Sequence, residues 1–153
     1  MTQTAFDVIT HLAGKTLATA ESITAGGIGA ALTAVPGASA VYKGGIISYC
    51  DEAKANLLAV PAEYLATYGA VSAPVAEAMA RGAKKALHTD IAVSVTGLAG
   101  PGGDEFGHSV GTVFIGYADD AQAFAREYHF DGDRDAVRTQ TVEAALQLIL
   151  ENA

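Results

Sequence analysis

The chain has 153 residues, half of them hydrophobic and 17% charged, which is enough apolar material for one ordinary domain and excludes a disordered chain. A formal net charge of −8 argues against nucleic acid as a bulk partner, since phosphate backbones attract basic surfaces, but leaves room for a small phosphorylated ligand held by one or two cations. No apolar run approaches the roughly 18 residues of a membrane span, the first residues lack the basic and apolar regions of a secretory signal, and a lone cysteine, Cys50, points to a reducing, cytoplasmic setting.

Residues 2–12 read as an opening helix stopped by Gly14, and residues 16–20 as a small apolar strand. Glu21-Ser22-Ile23-Thr24 follows, then Ala25-Gly26-Gly27 opening a helix that runs to Thr33 before Pro36-Gly37 breaks it. Residues 42–49 read as a second strand, with Gly44-Gly45 marking a bulge or a close backbone approach. Asp51 is placed to cap a short helix through Leu58, and Pro61 to start another. Ser72 is placed to cap the clearest helix, where Val75, Met79, Ala83 and Leu87 recur every fourth residue and Lys84 and Lys85 suit the negative end of the dipole. Residues 90–96 have the composition of a buried central strand, and a glycine-rich loop follows from Gly97 to Gly103. Residues 110–117 and 123–130 read as an antiparallel hairpin, and Asp133 caps a last helix that reaches Glu151. No repeat or linker interrupts this order, so one α/β domain over residues 1–153 is expected, with a mixed sheet covered on both faces.

Four stretches carry residues capable of chemistry. Ser22 lies between a strand end and a glycine-opened helix, where Thr24 and the N–H groups of Gly26 and Gly27 are placed to hold an oxyanion or phosphate. The plainer reading makes Ser22 or Thr24 a helix cap. Lys54, just past the second strand, becomes a general base if desolvated, although a lysine there is by default a solvated surface residue. Thr96, Gly97 and Gly100 stand where a strand runs into bare backbone, which suits a phosphate cradle or simply a long hairpin. Arg134 and Arg138 are four apart on one face of the last helix, where cations oppose the dipole and need a reason to be present. Both are candidates to bind a substrate anion; for Arg134 pairing with Asp131, Asp133 or Asp135 is the favoured reading of the local sequence, and for Arg138 a ligand anion. The four histidines and one cysteine show no metal-ligand spacing, so no metal site is expected, and Cys50 reads as a buried bystander. A P-loop is absent and the dinucleotide fingerprint is weak.

Six blocks in this order resemble the CinA C-terminal domain family, whose enzymatic members are nicotinamide mononucleotide deamidases. They are Ala20-Glu-Ser-Ile-Thr-Ala-Gly-Gly27, Ser48-Tyr-Cys-Asp-Glu-Ala-Lys54, Gly69-Ala-Val-Ser72, Ser94-Val-Thr-Gly-Leu-Ala-Gly-Pro101, Val110-Gly-Thr-Val113 and Gly132-Asp-Arg-Asp-Ala-Val-Arg138. The resemblance implies a three-layer α/β/α sandwich and a serine–lysine dyad that falls on Ser22 and Lys54. It places the family's tyrosine on Tyr49, its loop hydroxyl on Thr96 and its late arginine on Arg138, and implies no metal or organic cofactor. The activity implied is hydrolysis of the carboxamide of nicotinamide mononucleotide, a small-molecule substrate, to the acid and ammonia. The alternatives are a non-catalytic mononucleotide-binding module of the same fold, or an amidohydrolase for another small amide. Two positions depart from the family pattern. Ala25 stands where glycine is usual, and its Cβ restricts positive φ; Asp51 stands where asparagine is common, and its charge raises the pKa of Lys54. An Ala- and Gly-rich chain of mean hydropathy +0.26 also points to homo-oligomerisation.

Overall fold

The computed structural model describes residues 1–153. Its five strands are β1 (Leu17–Glu21), β2 (Tyr42–Ile47), β3 (Ile91–Gly97), β4 (Thr112–Ala118) and β5 (Ala123–His129), joined in the order β2-β1-β3-β4-β5. β1 is parallel to β2 and β3, while β3, β4 and β5 run antiparallel in turn. The helices are α1 (Gln3–His11), α2 (Gly27–Thr33), α3 (Asp51–Leu58), α4 (Ala62–Tyr68), α5 (Ala73–Leu87) and α6 (Arg134–Asn152), with a 3-10 turn at Ala38–Ala40.

Side-chain alternation along the strands decides which helices cover which face. Leu17, Val93, Val95, Val113 and Ile115 point to one side, where they form a 23-residue core with Val8, Ile28, Leu32, Leu146 and Ile149 from α1, α2 and α6. The residues between them are small. Ala18, Ala20 and Ala92 face the other side and pack with Leu58, Leu65, Val75, Met79 and Ala83 from α3, α4 and α5. Their size lets α5 lie close to the sheet: a Cβ on Gly116 would sit 2.3 Å from the Ala76 carbonyl oxygen. The fold is therefore three layers, α/β/α, around a mixed sheet.

The element edges shift for identifiable reasons. Residues 22–26 form a turn, and α2 opens at Gly27 rather than Ala25, because Ala25 (φ +46°) and Gly26 (φ +100°) are both left-handed. β2 ends at Ile47, not Tyr49, and a bulge near its start pairs Leu17 with Tyr42 but Ala18 with Gly44. The bulge thus falls on Lys43, one residue before the expected Gly44-Gly45, while Gly45 carries the close approach: its Cβ would lie 2.3 Å from Thr19 Oγ1. Asp51 is the first helical residue of α3 rather than its cap. Ser72 does occupy the N-cap position of α5, but its hydroxyl donates to the Gly69 carbonyl rather than accepting from the helix. Asp133 does cap α6, accepting from the Ala136 N–H at 2.9 Å.

Three parallel strand ends meet on one edge of the sheet. β1 passes into α2 on one face, whereas β2 passes into α3 on the other. Such a divergence of connections leaves a crevice beyond the strand ends, the usual place for a ligand in an open α/β sheet.

Candidate active site

Ser22 is the first residue beyond β1, and its N–H donates to the Val95 carbonyl at 3.0 Å. That bond extends the pairing of β1 with β3 and fixes the start of the turn. Glu21, one residue earlier, is 2% exposed and projects to the α2 side. Its Oε1 accepts from Thr24 Oγ1 at 2.6 Å and from the Ile28 N–H at 2.8 Å, and its Oε2 accepts from the Gly29 N–H at 3.0 Å. Because Gly26 at the helix cap has no side chain, the orphan N–H groups of α2 need an acceptor from elsewhere, and Glu21 supplies it.

Lys54 lies one turn into α3 and is 2% exposed, which overturns the default of a solvated lysine. Its Nζ donates to Ser22 Oγ at 2.9 Å and to the Ser48 carbonyl at 2.8 Å. The ion pairs of the protein all involve other cations, so no carboxylate neutralises it. Burial pulls its pKa below the usual lysine value, and the neighbouring Asp51 and Cys50 push the other way without cancelling the shift. The expected influence of Asp51 thus has the right sign but loses to desolvation.

Ser22 and Lys54 border a cavity of about 250 Å³ that Tyr49, Thr96, Gly97, Gly100 and Arg134 also line. Thr96 is 1% exposed and its hydroxyl donates to the Ala70 carbonyl at 2.9 Å. Tyr49 stands at the mouth, 61% exposed. Arg134 bridges that mouth, donating from Nη1 to the Gly100 carbonyl at 2.8 Å and from Nη2 to the Tyr49 hydroxyl at 3.0 Å. It makes no ion pair with an aspartate, contrary to expectation. Cys50, expected to be buried, is exposed beside the cavity.

Thr24, Gly26, Gly27 and Arg138 do not border the cavity. The Gly27 N–H donates to the Thr24 carbonyl at 3.0 Å, so it is not free to receive an oxyanion. Arg138 donates from Nε to the Ile23 carbonyl at 3.1 Å and from Nη2 to the Thr24 carbonyl at 3.3 Å. It holds the turn after Ser22 from behind rather than projecting into the cavity. Of the two candidate substrate arginines, Arg134 is the cation at the cavity and Arg138 the internally bonded one. Among the N–H groups following Ser22, those of Ile23, Thr24 and Gly26 have no acceptor in the protein, and of these residues only Ile23 lines the cavity.

Comparison with known proteins agrees with this architecture. Residues 2–153 match the CinA C-terminal domain. A CinA-like protein of Geobacter metallireducens is 52% identical over 133 residues, which is 87% of this chain but 32% of that protein; the chain thus spans about a third of such relatives. The nicotinamide-nucleotide amidohydrolase PncC of Pseudomonas putida is 47% identical over 133 residues, covering 87% of this chain and 83% of that one. Among solved structures, a competence-damaged protein (CinA) superfamily protein from Escherichia coli superimposes with a TM-score of 0.96 at 33% identity, covering 98% of this chain and 88% of that one. Another from Klebsiella pneumoniae gives 0.95 at 37% identity, covering 97% and 94%. The chain belongs to the CinA C-terminal domain family.

Proposed function

We propose that the protein hydrolyses the carboxamide of nicotinamide mononucleotide, with Ser22 as nucleophile and Lys54 as general base. The observation that carries this reading is the buried, carboxylate-free Lys54 amine 2.9 Å from the Ser22 hydroxyl beside a cavity. A serine hydroxyl is a weak nucleophile until a neighbouring base takes its proton, and a desolvated lysine is such a base at moderate pH. The relationship to a nicotinamide-nucleotide amidohydrolase supports the choice of amide.

In the reaction, neutral Lys54 accepts the Ser22 proton as Oγ attacks the carboxamide carbon. The carbon–nitrogen bond then breaks, Lys54 returns the proton to the departing nitrogen, and ammonia leaves an acyl-serine. Water, deprotonated by Lys54, attacks the ester and frees the carboxylate and Ser22. The unpartnered Ile23 N–H, next after the nucleophile, is assigned to the oxyanion, since a preorganised donor of this kind supplies about 3 kcal/mol of transition-state stabilisation. Arg134 is assigned to the phosphate and Tyr49 to the pyridine ring. The experiment is to measure ammonia from nicotinamide, its riboside and its mononucleotide with pure protein. Only the mononucleotide is expected to turn over well, and Ser22→Ala and Lys54→Gln to abolish it. Full activity in Ser22→Ala would remove the nucleophile, and tight binding of the mononucleotide without ammonia release would make the protein a binding module.

A further inference from the structure

We propose that Glu21 is the positioning residue for the Ser22 hydroxyl: its buried carboxylate pins the turn from residue 22 to residue 29 so that Ser22 meets Lys54 and the Ile23 N–H stays available beside the cavity. The inference rests on the amidohydrolase reading above and adds to it a residue whose side chain neither bonds Lys54 nor lines the cavity.

Glu21 and Ser22 are consecutive at a strand end, so their side chains leave on opposite faces. A constraint on one therefore sets the rotation of the other. The constraint on Glu21 is unusually complete. Its two oxygens accept from the Thr24 hydroxyl, the Ile28 and Gly29 N–H groups and, at 3.3 Å, the Thr19 hydroxyl. Thr19 in turn shares a 2.7 Å bond with the Tyr42 hydroxyl. Two glycines make room for this network, because a Cβ on Gly29 would meet Tyr42 Oη at 2.7 Å and one on Gly45 would meet Thr19 Oγ1 at 2.3 Å. Burying a carboxyl group costs little only where such donors replace its water, so it cannot shift without losing several bonds at once.

Those bonds close the nucleophile turn into a ring. The backbone leaves Glu21, passes Ser22, Ile23 and the left-handed Ala25 and Gly26, and returns to the Glu21 carboxylate at Ile28. Arg138 fastens the outer side of the ring through the Ile23 and Thr24 carbonyls. Because the α2 N–H groups are consumed by Glu21, the positive end of that helix serves the protein's own geometry rather than a substrate anion. Glu21 makes no bond to Lys54, so its influence on the base runs through the position of Ser22.

The test compares kcat, KM and pH profile in the full chain carrying Glu21→Gln, which puts an amide NH2 against the helix donors. Displacing a nucleophile by about 1 Å costs on the order of a hundredfold in rate, so kcat for the mononucleotide is expected to fall about ten- to a hundredfold. KM and the acidic limb of the profile should stay where they are. Leu12→Ala, buried far from the site, should lower the melting temperature at least as much and keep kcat, which separates positioning from general loosening. If Glu21→Gln does not fold, Thr24→Val removes only the 2.6 Å bond and should lower kcat in the same sense with the fold retained. Phosphonylation of Ser22 by a fluorophosphonate, which needs no substrate, should slow in parallel. Unchanged kcat and labelling in Glu21→Gln, or in Thr24→Val should the first variant misfold, overturns the proposal. A wild-type protein that releases no ammonia would instead refute the amidohydrolase reading, leaving the labelling rates to decide on Glu21.

Discussion

Replacing Ala25 by glycine should make the protein more stable, and the size of the gain follows from the turn after Ser22. Ala25 holds φ at +46°, where the Cβ of an L-residue crowds its own backbone at a cost of roughly 1–2 kcal/mol. Glycine removes that crowding but has a freer unfolded chain, which returns about 0.4–1 kcal/mol. Taking the middle of each range leaves Ala25→Gly about 0.8 kcal/mol more stable. For a chain of this length the gain corresponds to roughly 1–4 °C in melting temperature. Urea unfolding is the cleaner assay, because a rise in midpoint at constant m reports stability without a change in the surface exposed. A midpoint that stays put or falls would refute the reasoning. It would mean that the left-handed alanine carries no strain, and the account of why α2 opens at Gly27 would lose its basis.

Three further outcomes follow from the geometry. Asp51→Asn removes a charge that raises the Lys54 pKa; since the base acts unprotonated, the acidic limb of kcat/KM against pH should move to lower pH. Arg134→Gln should raise KM for the mononucleotide about ten- to a hundredfold, the worth of a charge-assisted bond to phosphate, while turnover of the riboside is unaffected. The third concerns stability against pH. The Lys54 pKa is lower in the fold than its ordinary 10.5, so between those two values the unfolded chain binds more protons and stability rises as pH rises. Denaturation midpoints across the alkaline range should show this slope in the wild type and lose that contribution in Lys54→Met.

Much of the architecture was legible because strong local signals agree with one another. The four-residue spacing of Val75, Met79 and Ala83 does mark the buried face of α5. The apolar run 91–95 is a fully buried strand, and the two runs after the glycine-rich loop do pair antiparallel. The crevice was partly legible too: Ser22, Tyr49, Lys54, Thr96, Gly97, Gly100 and Arg134 all border one cavity. What sequence reasoning missed was where hydrogen bonds close across distance. Glu21 reaches seven and eight residues ahead to Ile28 and Gly29, a bond no local spacing rule announces. The available signal was indirect: a helix opening on two glycines lacks a side-chain cap, so some other acceptor must supply one. Arg134 and Arg138 share one helical face, and only the tertiary path of the chain decides that one meets Tyr49 and the other the back of the Ser22 turn.

The bulge near the start of β2 has a consequence for the open flank of the sheet. β2 and β5 are the two outermost strands of the sheet, and an open strand flank invites pairing with a neighbouring chain. On β2 the extra residue is Lys43, exposed, with Nζ bonded to the Ser39 carbonyl at 2.9 Å. On β5 the exposed positions are Arg126, Glu127 and His129. A kinked rim bearing an ammonium and a rim of charged side chains are both features that disfavour addition of a further strand through open backbone groups.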